Sequence, residues 1–248
     1  MKMTLLDIVQ DIQSDLDFDE VNSIDDTIES EQVARIVKSS FYSMVSNRLW
    51  PHLRRTIQLA PISNPAMPTH VRLQDPIKQL CFVNYQSSKF GETKKNYTKV
   101  EYLEPDQFIH KSNQLDSTSP EVLTVLDFGG VELFVRNDRA PKYYTSFDDE
   151  HLVFDSYDSA VDTTIQSSKI QAQAYVVPDW EHKDTHVPDL PDDAFTALLE
   201  EAKSRASLRL KQVVDNKAET EARRQQTWLA RKARRVNGGI KFPDYGRK

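Results

Sequence analysis

The sequence predicts an α+β fold: a helical bundle formed by N-terminal helices and a long C-terminal helix, with an inserted antiparallel β domain and an extended C-terminal tail. Three observations predict it. Apolar residues recur every three or four positions near both ends of the chain, as in helices with one buried face. Short runs rich in Val, Phe, Tyr and Thr fill the middle, as in strands. Gly-Gly and Pro then mark the last residues, where neither element is favoured.

Composition sets the class of protein. The chain has 248 residues, of which 38 % are hydrophobic, so it can bury a real core. Its one cysteine, Cys81, excludes a disulfide framework within the chain and is interpreted as a small buried hydrophobe. No apolar run approaches the roughly 20 residues of a membrane span. We expect a soluble protein made in a reducing cytoplasm, with no membrane partner.

Residues 1–60 are predicted to form the N-terminal helical part. Thr4 to Leu16 forms a short amphipathic helix, with Asp7, Asp11 and Asp15 on its polar face. After an acidic connector, Thr27 or Ser30 caps a longer helix that runs to Trp50. Prolines end this helical part.

Residues 61–190 are predicted to be the inserted β domain and its linker. Gly129-Gly130 separates two apolar runs and predicts a hairpin turn, and Pro105 favours a short helix over Glu104 to Asn113. The predicted strands are His70–Leu73, Gln79–Tyr85, Thr98–Tyr102, Val122–Leu126, Val131–Val135, Lys142–Thr145, Leu152–Phe154 and Ala172–Val177.

Residues 191–236 are predicted to be the long C-terminal helix, capped by Asp192 or Asp193. Its first half has one apolar face that belongs in the helical core: Phe195, Leu199, Ala202, Ala206, Leu210 and Val213. From Asp193 to Arg235 an unbroken helix would span roughly 65 Å at about 1.5 Å per residue. We therefore expect the second half to be a projecting arm, followed by an extended docking tail at 237–248.

Charge is distributed unevenly along the chain. The net charge is −6, but residues 203–248 carry 14 Lys and Arg against 4 Asp and Glu, whereas the rest is strongly acidic. A basic arm on an acidic body predicts docking on an acidic partner, either a nucleic acid or a protein.

The sequence specifies no active site. Six glycines provide no phosphate loop, and Asp127-Phe128-Gly129 is interpreted as a hairpin turn because no other kinase motif accompanies it. His182 and His186 have a metal-like spacing, but they lie between prolines and are interpreted as solvated linker residues. We therefore predict no catalytic, metal-binding or cofactor-binding residues and a protein that is not an enzyme.

The predicted functional site is the arm. Its basic residues surround one Trp and one Leu, which have little reason to be exposed on a polar helix unless a partner buries them. The alternative interpretation is a solvated, frayed helix end. The proposed docking residues are Arg223, Arg224, Trp228, Leu229, Arg231, Lys232, Arg234, Arg235, Ile240, Phe242, Pro243, Tyr245 and Arg247.

Both ends of the chain resemble the tail adaptor proteins of short-tailed bacteriophages, also called head-to-tail connector or tail tubular protein A-like proteins. The acidic Ser-Ile-Asp-Asp-Thr segment within 19–37, followed by Phe41-Tyr42, is similar to their opening. The end of the chain, from Ala230 through Pro243-Asp-Tyr-Gly-Arg247, is similar to their Pro-x-Tyr-Gly-Arg tails. The β domain matches only by type.

The resemblance implies a non-enzymatic virion protein, made in the host bacterial cytoplasm, that forms a ring of twelve copies. The ring would lie between the portal protein, which receives the C-terminal arms, and the tail nozzle protein. Genomic DNA would pass through the lumen without specific binding.

Two further hypotheses follow from the basic arm. The alternative function is a nucleic-acid-binding protein that lays this helix along phosphates. Independently, because an isolated polar helix is marginally stable, we expect 216–235 to be partly disordered in the free monomer and to fold on binding.

Overall fold

The computed structural model describes residues 2–88 and 92–236. Within these ranges it contains five α-helices and ten β-strands. The described residues before Arg54 and from Pro178 onward form one compact unit, and Arg54–Val177 forms the other.

Capping residues define the two N-terminal helices of the first unit, α1 (Leu5–Asp15) and α2 (Ile28–Ser46). The Thr4 hydroxyl accepts a hydrogen bond from the Asp7 backbone N–H, and the Asp7 carboxylate accepts one from the Thr4 N–H, at 3.2 and 2.8 Å. Thr27 and Ser30 make the same reciprocal pair at the start of α2. The two predicted N-terminal helices and the Thr27 cap are confirmed, but α2 ends at Ser46 rather than at the predicted Trp50.

The C-terminal half of this unit is a helical hairpin. Helix α4 (Phe195–Ala206) continues into one π-helical turn (Ser207–Lys211), and Gln212 then adopts a left-handed conformation with φ 55°. Helix α5 (Asn216–Val236) begins after Asp215, whose carboxylate accepts hydrogen bonds from the N–H groups of Lys217 and Ala218, both at 3.0 Å. The new cap starts a second helix where the sequence predicts a continuous one.

The predicted long helix is therefore wrong, and its second half does not project. Helix α5 packs back against α4, burying Ala218, Ala222 and Leu229. Two small residues of α4, Ala202 and Ala206, are also fully buried. Small side chains allow two helices to approach closely, so the hairpin buries a face that a polar helix would otherwise leave in water.

The second unit contains an eight-stranded sheet and a separate hairpin. The sheet order is β1-β10-β4-β5-β8-β9-β3-β2, and β6 pairs with β7 alone. The strands are β1 (Arg54–Ile57), β2 (Leu59–Pro61), β3 (His70–Leu73), β4 (Ile77–Gln86), β5 (Tyr97–Tyr102), β6 (Val122–Leu126), β7 (Glu132–Arg136), β8 (Tyr143–Thr145), β9 (His151–Phe154) and β10 (Ile170–Val176). The eight predicted strands are confirmed, whereas β1 and β2 were not predicted.

One strand pair makes the sheet mixed rather than antiparallel. The Val83–Gln86 part of β4 pairs antiparallel with β5, but at Glu101 and Tyr102 strand β5 pairs in parallel with β8. The long crossover that parallel pairing requires holds helix α3 (Pro105–Ser112) and the β6–β7 hairpin. The predicted short helix and the hairpin turn, where Gly130 has φ 75°, are confirmed.

The predicted fold class is wrong. Helices account for about 35 % of the chain and strands for about 24 %, and the main element is a large, mixed, nearly barrel-shaped sheet rather than a helical bundle with an inserted antiparallel β domain. The reason that the sheet approaches a closed barrel lies at its two edges. Strands β1 and β2 are separated by one residue, Gln58, yet they form opposite edges of the sheet, so one short segment of chain serves both ends.

The left-handed Gln212 gives a test of the helical hairpin. Because glycine adopts positive φ without a Cβ clash, Gln212→Gly should raise the free energy of unfolding by about 0.5–1 kcal/mol. Urea denaturation measures it. Glycine at the right-handed, exposed Arg209 is the matched control and should lower the same quantity by about 1 kcal/mol. A loss of stability in Gln212→Gly would contradict the described bend.

Candidate docking site

Helix α5 has two chemically distinct faces. Its inner face packs on α4 through Ala218, Ala222 and Leu229. The α5 outer face is the surface lined by the following side chains: Thr220, Glu221, Arg223, Arg224, Gln225, Thr227, Trp228 and Arg231. Spacings of three, four and seven residues place these side chains on one side of the helix.

Polar contacts from neighbouring elements fix which face of α5 points outward. The Arg48 guanidinium donates a hydrogen bond to the backbone carbonyl of Gln226 at 3.0 Å. The Gln226 side-chain amide donates to the Glu201 carboxylate of α4 at 3.3 Å. Leu229, one turn further, is only 3 % exposed. Rotation of α5 would break both hydrogen bonds and expose the leucine, so the outer face is held in one orientation.

The outer face presents cations around one aromatic ring. The side chains of Arg223 and Arg224 are each 80 % exposed, and Trp228 is 47 % exposed. Both arginines pair within the helix, with Glu219 at 3.0 Å and Glu221 at 3.7 Å. Such exposed ion pairs contribute little to the free energy of unfolding, and salt screens them. Since a guanidinium has five N–H donors, each arginine can still bind a second carboxylate or a phosphate.

The structure separates the predicted docking residues into three groups. Arg223, Arg224, Trp228 and Arg231 lie together on the outer face. Leu229 does not: it is buried against the helical core, so its prediction as an exposed docking residue is wrong. Lys232, Arg234 and Arg235 belong to the last turns of α5, but their side chains lie outside the described residues, as do Ile240, Phe242, Pro243, Tyr245 and Arg247.

Leu229 was predicted to be exposed because the bend at Gln212 was not predicted. Without the bend at Gln212, the sequence offers no surface to cover Leu229, and a leucine among Arg, Lys and Gln then indicates a partner. The expectation that 216–235 is partly disordered before binding also differs from the structure, where the described part of α5 is a capped helix packed on α4.

A second cluster of polar groups was not predicted. His70 on β3 is fully buried, and its Nε2 lies 3.0 Å from Oδ1 of Asp127 in the β6–β7 turn. Nδ1 of the same ring lies 3.4 Å from the Thr69 hydroxyl. The Phe128 ring contacts His70 edge-on and lies 4.4 Å from the ring of His151 on β9. No sequence signal could join residues that are 57 and 81 positions apart.

This cluster resembles a hydroxyl–imidazole–carboxylate triad, but it cannot act as one. Thr69 is fully buried, so no substrate reaches its hydroxyl. Burial lowers the pKa of His70, and the hydrogen bond and the charge of Asp127 offset part of that shift. The imidazole is therefore a neutral, structural group near neutral pH.

Other surfaces of the described chain offer little chemistry. A bay of about 740 Å³ in the second unit is lined by Cys81, Ser146, Tyr102 and Tyr144 among others, but no imidazole lines it to activate a nucleophile. Within 2–88 and 92–236, no three His, Cys, Asp or Glu residues are grouped so that they could hold a metal ion. Over the same ranges, no helix is both long and apolar enough to cross a membrane.

Comparison of the chain with models of protein families and with curated proteins finds no match. The α5 outer face and the motifs at the two ends of the chain are therefore the features that point to a function.

The two adjacent apolar residues of α5 should differ sharply in their contribution to stability. Leu229→Ala should lower the free energy of unfolding by about 2–3 kcal/mol, because it leaves a cavity in the helical core. Trp228→Ala should lower it by no more than about 1 kcal/mol, because half of that side chain is already in water. Guanidinium denaturation of both variants measures the difference, and equal losses would refute the assignment of the two faces.

Proposed function

We propose that this chain is a non-enzymatic phage structural protein: a ring-forming adaptor that joins the portal to the tail nozzle and lines the DNA exit channel. The α5 outer face, with the basic residues that follow it, docks on portal subunits. Twelve copies form the ring, which is part of the virion. The observation that carries the proposal is the Arg–Trp–Arg surface on a helix whose opposite face is already buried.

The residue types of this surface support a protein partner. Trp and Arg are the side chains most often found at the energetic centre of protein interfaces. Here a half-exposed Trp228 lies among three arginines, which suits a partner groove with an apolar pocket and an acidic rim. Because α5 is a packed helix, little conformational entropy is lost when the outer face binds, and this favours affinity.

The distribution of charge also supports the conduit role. The first 202 residues carry a net charge of −16, and DNA is repelled by acidic surfaces at close range. A ring built from such subunits lets DNA pass without binding it. Rings require heterologous, head-to-tail contacts between copies, in which two different surfaces of each subunit meet.

The described residues favour a structural role over catalysis. Thr69 beside the His70 imidazole is fully buried, and no imidazole lines the bay of about 740 Å³ in the second unit. The adaptor proposal therefore assigns the chain no catalytic residues, no metal and no cofactor.

Mixing the purified protein with a portal ring tests the proposal. We expect a fixed number of copies, twelve for each portal ring, to bind in the absence of DNA. Native mass spectrometry measures this number. Reversing two charges of the outer face, Arg223→Glu with Arg224→Glu, should weaken binding by about 10- to 100-fold, and Trp228→Ala should weaken it by about 30-fold.

Arg35→Glu is the matched control. Arg35 is exposed on α2 and pairs with Glu31 four residues earlier, as Arg223 does with Glu219. This variant should bind the portal normally. If the protein does not bind the portal but binds duplex DNA with a steep salt dependence, the outer face is instead a nucleic-acid-binding surface.

A further inference from the structure

The turn between α4 and α5 exposes three large aliphatic side chains. Leu208 is 55 % exposed, Val213 59 % and Val214 57 %. The Ser207 hydroxyl donates to the Val213 carbonyl at 2.8 Å, and the Val213 N–H donates to the Ser207 carbonyl at 3.3 Å. These two hydrogen bonds bring Val213 beside the π-helical turn that carries Leu208. The turn therefore presents an apolar surface to solvent, and the prediction that Val213 lies in the helical core is wrong.

Cations surround this apolar surface. Arg209, Lys211 and Lys217 are exposed, whereas the carboxylate of Asp215 already accepts the two hydrogen bonds that cap α5. Lys211 lies 3.8 Å from the carboxylate of Asp17, whose side chain is 95 % exposed, so water and salt screen the attraction between them. The basic turn surface consists of Leu208, Arg209, Lys211, Val213 and Val214.

The start of α2 exposes an apolar side chain among charges of the opposite sign. Ile28 is 72 % exposed, which is the highest value among the large apolar side chains of the described residues. Its exposed neighbours in sequence are the carboxylates of Asp25, Asp26 and Glu29. An isoleucine in water gains nothing for the fold and is typical of a surface that a partner covers. The acidic start surface consists of Asp25, Asp26, Ile28 and Glu29.

Both surfaces belong to the first unit but have different neighbours. Lys211 of the basic turn surface lies near Asp17, beyond the end of α1, whereas Asp25 of the acidic start surface lies 3.3 Å from His182, in the segment before α4. Since their aliphatic side chains are more than half exposed, neither surface covers the other within one chain. Two different, complementary surfaces on one chain are what a head-to-tail contact between copies requires.

We propose that copies of this chain bind head to tail, with the basic turn surface of one copy against the acidic start surface of the next. The aliphatic side chains of the turn cover Ile28, and Arg209 and Lys211 face the carboxylates beside it. Removal of these apolar groups from water stabilises the contact, and the opposite charges fix its orientation. The contact rests on the proposed function, since it is the one that would join neighbouring copies in the adaptor ring.

Sedimentation equilibrium of the purified protein, without a portal, tests the contact. We expect the unaltered chain to associate reversibly, and less tightly as the salt concentration rises. Arg209→Glu should weaken the association by about tenfold, and Glu29→Lys should weaken it by about the same factor. An equimolar mixture of the two variants should regain the lost association, because each altered surface then meets a surface of opposite charge on the other variant.

Arg223→Glu is the matched control. Arg223 is an exposed arginine of the same helical hairpin, but it lies on the α5 outer face and outside the basic turn surface. This variant should associate as tightly as the unaltered protein. If Arg209→Glu also associates normally, or if the unaltered protein is a monomer at every concentration, the proposal is wrong.

Disulfide trapping shows directly whether the two surfaces meet. In a Cys81→Ser background, the Ile28→Cys and Val213→Cys proteins are mixed under oxidising conditions, and mass spectrometry identifies the products. We expect a mixed dimer that joins position 28 to position 213. Ile28→Cys mixed with Arg223→Cys should give about tenfold less product, because the outer face is not part of the contact. Equal yields from the two mixtures would overturn the proposal.

The outcome can be told apart from failure of the adaptor proposal. If copies associate through these two surfaces but do not bind a portal, the head-to-tail contact stands and the adaptor proposal fails. If twelve copies bind a portal but position 28 never joins position 213, only the contact proposed here is wrong. A third result, in which Arg209→Glu weakens portal binding and leaves self-association unchanged, would assign the basic turn surface to the portal and overturn the contact between copies.

Discussion

The helices of the first unit have one apolar face each, and none can bury that face without the others. The core that results joins the two ends of the chain: the Leu5 N–H donates to the His186 carbonyl at 2.7 Å, and the Ile24 N–H donates to the Asp184 carboxylate at 2.8 Å. Lys203 of α4 pairs with Asp15 of α1. Because these contacts span more than 150 residues of sequence, the helical unit cannot be completed before residues 184–203 have been made. The intervening 124 residues, Arg54–Val177, form a separate unit with a core of their own.

The same need for a partner surface explains the helical hairpin at the C-terminus. A polar, Arg-rich helix is marginal by itself, but its alanines can approach α4 closely and Leu229 can enter the existing core. Folding back therefore stabilises α5 and sorts its residues into a buried face and an exposed one. The docking function that we propose uses the exposed face only. The structure thus gives α5 a fixed orientation before any partner arrives.

Local signals in the sequence predicted local structure well. The Thr27 cap, the Gly129-Gly130 turn and the alternating runs of the sheet all depend on neighbouring residues, and the structure confirms them. The bend at Gln212 has neither glycine nor proline to mark it, so continuity of the helix was the natural but wrong prediction. The parallel β5–β8 pair and the His70–Asp127 contact join distant segments, and a single sequence provides no signal for either. Of the predicted docking set, the described arginines and Trp228 lie on one face. The burial of Leu229 could be predicted only with knowledge of the bend at Gln212.

The division of α5 into two faces has an evolutionary consequence. Arg223 and Arg224 pair with glutamates of their own helix, so replacing them leaves no buried charge behind. The alanines and Leu229 on the other side are constrained by packing. Selection can therefore alter the outer face to follow changes in a partner while the fold that presents it stays intact. Variation among related chains should accordingly concentrate at 220, 223, 224, 227 and 231, with 218, 222 and 229 remaining small or apolar.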